Sequence, residues 1–109
     1  MSLTRRMFTA GAGAAMAAPV LADNRLHEIA IRDFAFHPPV LSVSPEDRIR
    51  FTNHDLAPHT ATAQDGSWDS GELEEGASII LTVTKDWTGG YFCAFHPAMT
   101  ARLRIEDHK

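Results

Sequence analysis

From residue 26 onward, apolar side chains recur at every second position in short bursts: Ile49 and Phe51, then Ile79, Leu81 and Val83, then Leu103 and Ile105, each set between polar neighbours. A period of two marks strands with one buried face, and no 3.6-residue period lasts long enough to predict a helix. The pattern predicts seven strands, over residues 26–34, 40–44, 48–53, 59–63, 78–84, 90–95 and 101–106. Between them lie Pro38-Pro39, Pro45-Glu46-Asp47, Asp65-Gly66-Ser67, Glu74-Glu75-Gly76 and Thr88-Gly89-Gly90. Proline, glycine and acidic residues at these points suit tight reversals. Seven short strands so separated predict an all-β fold, a two-sheet antiparallel sandwich.

The first 22 residues follow a different rule. Thr4-Arg5-Arg6-Met7-Phe8 carries paired arginines, residues 9–18 form a mildly apolar Ala/Gly run, and Val20-Leu21-Ala22 supplies small residues for cleavage. This reads as a cleavable export signal over residues 1–22 of the twin-arginine type, too weakly apolar for a spanning helix. Residues 23–109 then form a single domain, because removing 22 of the 109 residues leaves 87, enough for one core. The expected location is the bacterial periplasm, with no membrane span in the mature chain.

Charge narrows the partners. The whole chain has a net charge of −4, and loss of Arg5 and Arg6 leaves eight basic against fourteen acidic residues, a net of −6. An acidic surface disfavours nucleic acid and anionic lipid, and permits steering toward a basic protein as well as simple solubility.

The chemistry is concentrated near the C-terminus. In Tyr91-Phe92-Cys93-Ala94-Phe95-His96-Pro97-Ala98-Met99 a thiol, an imidazole and a thioether recur at every third residue. Cys93 is the chain's one cysteine, so in an exported protein it is a ligand, a free thiol or an intermolecular bridge. Two soft sulfur donors with imidazole suit copper; zinc is the next metal, but a thioether is a poor zinc ligand. A second histidine is needed, and Asn53-His54-Asp55-Leu56-Ala57-Pro58-His59-Thr60 offers His59 after a proline. Taken singly, Met99 reads as core filler and His96 as a loop residue. His27, His37, His54 and His108 read as surface or turn residues, and Phe34, Phe36, Phe51, Trp68 and Trp87 as packing rather than an electron path.

The 91–99 segment resembles the ligand loop of the cupredoxins, the small blue copper proteins, in the short Cys-x-x-His-x-x-Met form of the amicyanins and plastocyanins. The resemblance extends through Phe34-Ala35-Phe36-His37-Pro38, Ile49-Arg50-Phe51-Thr52-Asn53, Pro58-His59-Thr60 and Asp69-Ser70-Gly71. It implies a Greek-key sandwich in which His59, Cys93 and His96 surround one type 1 copper ion and Met99 is a weak axial ligand. It also implies an apolar docking patch around His96, for which Leu56, Ala57, Pro58, Phe95, Pro97 and Ala98 are available. The family pattern has Asn where this chain has Thr60, so side-chain bridging of the two ligand loops is expected to weaken or change. It commonly has Gly where this chain has Glu46, at a turn that is not expected to require a positive φ.

All four copper positions would be filled by protein, which leaves no place for substrate and disfavours an enzyme. The function so implied is a monomeric one-electron carrier between redox protein partners, a donor and an acceptor such as a c-type cytochrome or a dehydrogenase. A periplasmic copper carrier or resistance protein that delivers metal rather than electrons is the alternative, and a metal-free interaction module a third.

Overall fold

The structure is a computed structural model and describes residues 25–106. The export signal expected over residues 1–22, and His108, lie outside the described residues. Among the described residues there are eight strands: β1 (Leu26–Arg32), β2 (Ala35–His37), β3 (Val40–Val43), β4 (Arg48–Asn53), β5 (Thr62–Ala63), β6 (Ser78–Thr82), β7 (Gly90–Cys93) and β8 (His96–Ile105). They form two four-stranded sheets, ordered β2-β1-β4-β6 and β3-β8-β7-β5. The alternation seen in the sequence becomes burial: Ile49, Phe51 and Asn53 of β4 point inward, as do Tyr91 and Cys93 of β7 and Met99 and Leu103 of β8. Between the sheets these residues meet Ile29, Ile31, Phe36, Val43, Trp68 and Val83 in one core.

The expected all-β sandwich is present, but it is not purely antiparallel. Each sheet contains one parallel pairing, β1 with β4 and β3 with β8. The cause lies at Pro38-Pro39, which was expected to reverse the chain. There β2 runs antiparallel to β1, and β3 continues in the same direction within the other sheet, so one reversal is lost before β4. Prolines without N–H groups suit a point where the chain leaves one ladder for another. The strand expected over residues 26–34 ends at Arg32, and β2 follows where no strand was expected, because Asp33 and Phe34 form a two-residue hairpin loop between Arg32 and its partner Ala35.

The Ser44–Asp47 turn corrects a second expectation. Asp47 N–H donates to Ser44 O at 3.0 Å, and Glu46 takes φ +79°. Proline at the second position followed by a positive φ at the third describes a type II turn, which explains why glycine would suit position 46. The adjoining Asp47 carboxylate, 3% exposed, accepts from the backbone N–H of Arg25 and Ser44 and from His27 Nε2 at 2.9 Å. His27 is thus a half-buried partner within β1 rather than a surface residue. Burial opposes ionisation of Asp47, but the hydrogen bonds from His27, Ser44 and Arg25 outweigh it and hold the carboxyl below its usual range. A folded pKa below the unfolded value of ~3.9 contributes stability that is complete above about pH 4 and lost as pH falls through the folded pKa. In urea titrations, Asp47→Asn is expected to lower stability at neutral pH and to flatten the acid limb relative to wild type. Equal slopes below pH 4 would refute the assignment.

Gly89 is demanded by close approach. Its carbonyl accepts from Leu103 N–H at 2.7 Å, and a Cβ on Gly89 would overlap the Leu103 carbonyl oxygen. The clash is with backbone, which cannot swing away as a side-chain tip can. Gly89→Ala is expected to destabilise the fold by about 2 kcal/mol in a urea titration.

Candidate metal centre

The C-terminal ends of β1, β4 and β7 meet at one end of the sandwich, and the loops that follow them carry the chemistry-bearing residues. Cys93 ends β7 and pairs with His96, the first residue of β8, across the two-residue turn Ala94-Phe95. The preceding pair is Phe92 with Thr100, so Pro97, Ala98 and Met99 are surplus on β8 and form a wide bulge. A proline tolerates such a place because no ladder donor is required of it. His96 therefore starts a strand instead of projecting from a free loop. Within the bulge Met99 turns inward and is 7% exposed, in the same core as Cys93.

His59 arrives from the loop after β4. It exchanges both backbone hydrogen bonds with Leu73, its N–H donating to Leu73 O at 3.1 Å and its O accepting from Leu73 N–H at 2.8 Å. Asn53, fully buried, braces the same loop: its Nδ2 donates to Ala57 O at 2.9 Å and Leu73 O at 2.8 Å, and its Oδ1 accepts from Asp55 N–H at 2.9 Å. Asp55 in turn accepts from His59 Nε2 at 2.8 Å and from the N–H groups of Asp33 and Phe34 at 2.7 and 2.9 Å. Partial burial raises the Asp55 pKa, but the bonds from Phe34, Asp33 and His59 prevail and keep the carboxyl below its usual range.

His59, Cys93 and His96 come together, their donor atoms all within 4.8 Å of one another. Both Nδ1 atoms lie 3.6 Å from Cys93 Sγ. Because the Nε2–H of His59 goes to Asp55, its Nδ1 presents a lone pair to the sulfur. One S–H could satisfy only one of two converging imidazole nitrogens, whereas a cation between them would satisfy both and the thiolate. The spacing also fits, since nitrogen and sulfur bonded to one ion at ~2.0 and ~2.3 Å stand ~3.5–3.7 Å apart in tetrahedral or trigonal sites. Soft sulfur with borderline imidazole, and a buried thioether in the adjoining core, match copper better than a hard cation.

Thr60 links the two ligand loops in a changed form. Its N–H points at Cys93 Sγ at 3.4 Å, and its hydroxyl accepts from Ala94 N–H at 2.8 Å, so threonine links the two loops in place of the family's asparagine. Asp55 and Asn53 were not singled out from sequence, although Asn53-His54-Asp55 is a local turn motif in which an Asn carbonyl receives the N–H two residues on. His54 is exposed and His37 binds the carbonyl of Arg32; neither joins the cluster. Phe34, expected as packing, stands half exposed with its ring perpendicular to both imidazoles, 5.0 Å from His59 and 4.9 Å from His96.

The fold is that of the cupredoxins, an all-β sandwich whose His-Cys-His cluster fits a type 1 copper site. Among solved structures, an oxidised amicyanin mutant matches with TM-score 0.66 at 21% identity, over 73% of this chain and 81% of that one. The Cu(I) form of another amicyanin mutant matches with TM-score 0.65 at 25% identity, over 84% of this chain and 90% of that one. A purple cupredoxin from Nitrosopumilus maritimus matches with TM-score 0.63 at 19% identity, over 73% of this chain and 99% of that one. No family model and no curated protein matches the chain. No helix among the described residues is long and apolar enough to cross a membrane.

Proposed function

We propose that His59, Cys93 and His96, with Met99 as a weaker thioether donor, would hold one type 1 copper ion, and that the protein carries single electrons between redox partners in the periplasm. The observation that carries this reading is the convergence of two imidazole nitrogens on the Cys93 thiol, each 3.6 Å away. Copper bound there would supply a centre that alternates between Cu(II) and Cu(I) under a His₂Cys set with a weak thioether, the composition used for electron transfer.

The remaining work belongs to the chain. Cys93 and His59 are fully buried, so the sulfur and one imidazole are kept from water. The N–H of Thr60 partly neutralises the thiolate, and Asp55 orients His59. His96 is the half-buried member and offers the shortest route to the surface. Beside it stand Phe34 and Phe95, 51% and 49% exposed, with Pro97 and Ala98, and Leu56, 82% exposed, follows Asp55 in the loop that carries His59. This apolar patch is the docking face for a donor and an acceptor, both redox proteins. Glu72 and Glu74 flank Leu73, the backbone partner of His59, and the overall charge is acidic, which favours a basic partner and brief, salt-sensitive encounters. Residues 1–22 serve as the export signal and residues 23–109 as the carrier domain, monomeric and without catalytic activity of its own.

The test is the absorption and electron spin resonance spectrum of the copper-loaded chain, with voltammetry. An intense visible thiolate-to-copper band and a reversible one-electron wave are expected. Copper that is lost rapidly to a chelator, without a stable Cu(II) thiolate state, would overturn the reading in favour of metal delivery.

A further inference from the structure

Asp33 and Phe34 occupy the two central positions of the β1–β2 hairpin with φ of +55° and +56°. Two successive positive φ values define a type I′ turn, for which Asn-Gly is the favoured pair. A phenylalanine in the left-handed region is a strained departure, since its Cβ crowds the following carbonyl oxygen. Burial does not repay it here, since Phe34 is 51% exposed.

What the conformation achieves is placement. The Phe34 ring stands at 90° to the imidazole of His59 and 88° to that of His96, with centroids 5.0 and 4.9 Å away. The turn that carries it is pinned from outside its own hairpin: Asp55 Oδ1 accepts from Asp33 N–H, and Asp55 Oδ2 accepts from both Phe34 N–H and His59 Nε2. One carboxylate therefore joins the strained turn, the ring and a buried imidazole into a single unit. Backbone strain retained at a half-exposed aromatic, and held by a group that also orients a proposed ligand, points to function rather than to fold stability.

We infer that the Asp33-Phe34 turn is a lid on the metal centre, in which Phe34, positioned by Asp55, holds the His59 and His96 imidazoles in donor position and slows the loss of bound copper. The inference rests on the copper reading given above. Asp55 and Phe34 are positioning residues, and neither supplies a donor to the ion. The lid acts on retention: with the ring in place, an imidazole that swings away from the ion meets the phenyl edge or face, and water meets the same barrier on its way in.

Two glycine substitutions separate the ring from the turn. Phe34→Gly removes the ring and relieves strain, while Asp33→Gly relieves strain in the same turn and leaves the ring. Three quantities are measured on the full chain: thermal unfolding without metal, the imidazole resonances of His59 and His96 without metal, and the rate of copper loss to excess chelator. Phe34→Gly is expected to keep or raise the unfolding temperature, to broaden or shift both imidazole resonances, and to release copper roughly tenfold faster or more. Asp33→Gly is expected to raise the unfolding temperature and leave the resonances and the release rate within twofold of wild type. Asp55→Ala should speed release like Phe34→Gly, with a lower unfolding temperature. Unchanged release in Phe34→Gly, or equal acceleration in Asp33→Gly, would overturn the lid while leaving the copper reading intact. Failure of the wild type to take up copper would instead remove the copper reading, and the imidazole resonances would then decide whether Phe34 positions the two histidines at all.

Discussion

Cys93→Ser is expected to abolish the intense visible absorption of the copper-loaded protein while leaving the metal-free fold nearly unchanged. The thiol is fully buried and contacts three nitrogens, the N–H of Thr60 and the Nδ1 atoms of His59 and His96. A serine hydroxyl is smaller but can accept from Thr60 and donate to one imidazole, so thermal unfolding without metal should shift by less than about 1 kcal/mol in stability. With metal the two atoms are not equivalent. A hydroxyl is a hard, weakly acidic donor in place of a soft thiolate, so copper affinity should fall by about two orders of magnitude and the charge-transfer band should vanish. A titration followed by absorption and calorimetry separates these effects. An intense band surviving in Cys93→Ser would place the chromophore elsewhere and end the type 1 assignment.

The second large effect is expected at Asn53, which makes no contact with the cluster. Its amide bonds to Ala57 O, Leu73 O and Asp55 N–H in a fully buried position, joining the loop that carries His59 to the segment that pairs with it. Asn53→Ala deletes two donors and an acceptor, leaving Ala57 O and Asp55 N–H without their partner and Leu73 O with the N–H of His59 alone. At roughly 1 kcal/mol or more for each unmade bond, the metal-free protein should lose about 3 kcal/mol in a urea titration. Because the loop that loosens is the one holding Asp55 and His59, copper release should accelerate as well. Asp55→Asn, which keeps the shape and an acceptor oxygen, should lose far less stability. A copper release rate in Asn53→Ala equal to wild type would show that His59 is held by its bonds to Leu73 alone.

Much of the sandwich was legible because its strands bury one face and so alternate. Ile49 and Phe51 of β4, and Leu103 and Ile105 of β8, announce themselves in this way, and Cys93 and His96 must be neighbours because two residues allow only a tight turn between them. Edge and connection details were less visible. Strand β6 keeps Ile79 and Leu81 only half buried and ends at Thr82. Strand β5 shrinks to Thr62–Ala63, because His59 pairs with Leu73 through an isolated bridge and not as part of a strand. The Asp33-Phe34 turn carries no glycine or asparagine to signal its positive φ values, so the pattern runs the first strand on through residue 34 and gives no sign of the second at Ala35–His37.

By itself, then, the sequence determined the alternating faces, the core they build, and the run from Cys93 to Met99 that sets thiol, imidazole and thioether within reach of one another. These are local properties, governed by the two-residue period of a strand and the few residues between neighbours. Only the tertiary structure decided that Pro38-Pro39 carries the chain between sheets and so makes β1 and β4 parallel, that Thr60 links the two loops through its hydroxyl, and that Asp55 gathers Asp33, Phe34 and His59 around one carboxylate. Each of these joins groups far apart in the chain. No periodicity records them, because they come into being only when the two sheets close over a shared core and bring the ends of β1, β4 and β7 to the same place.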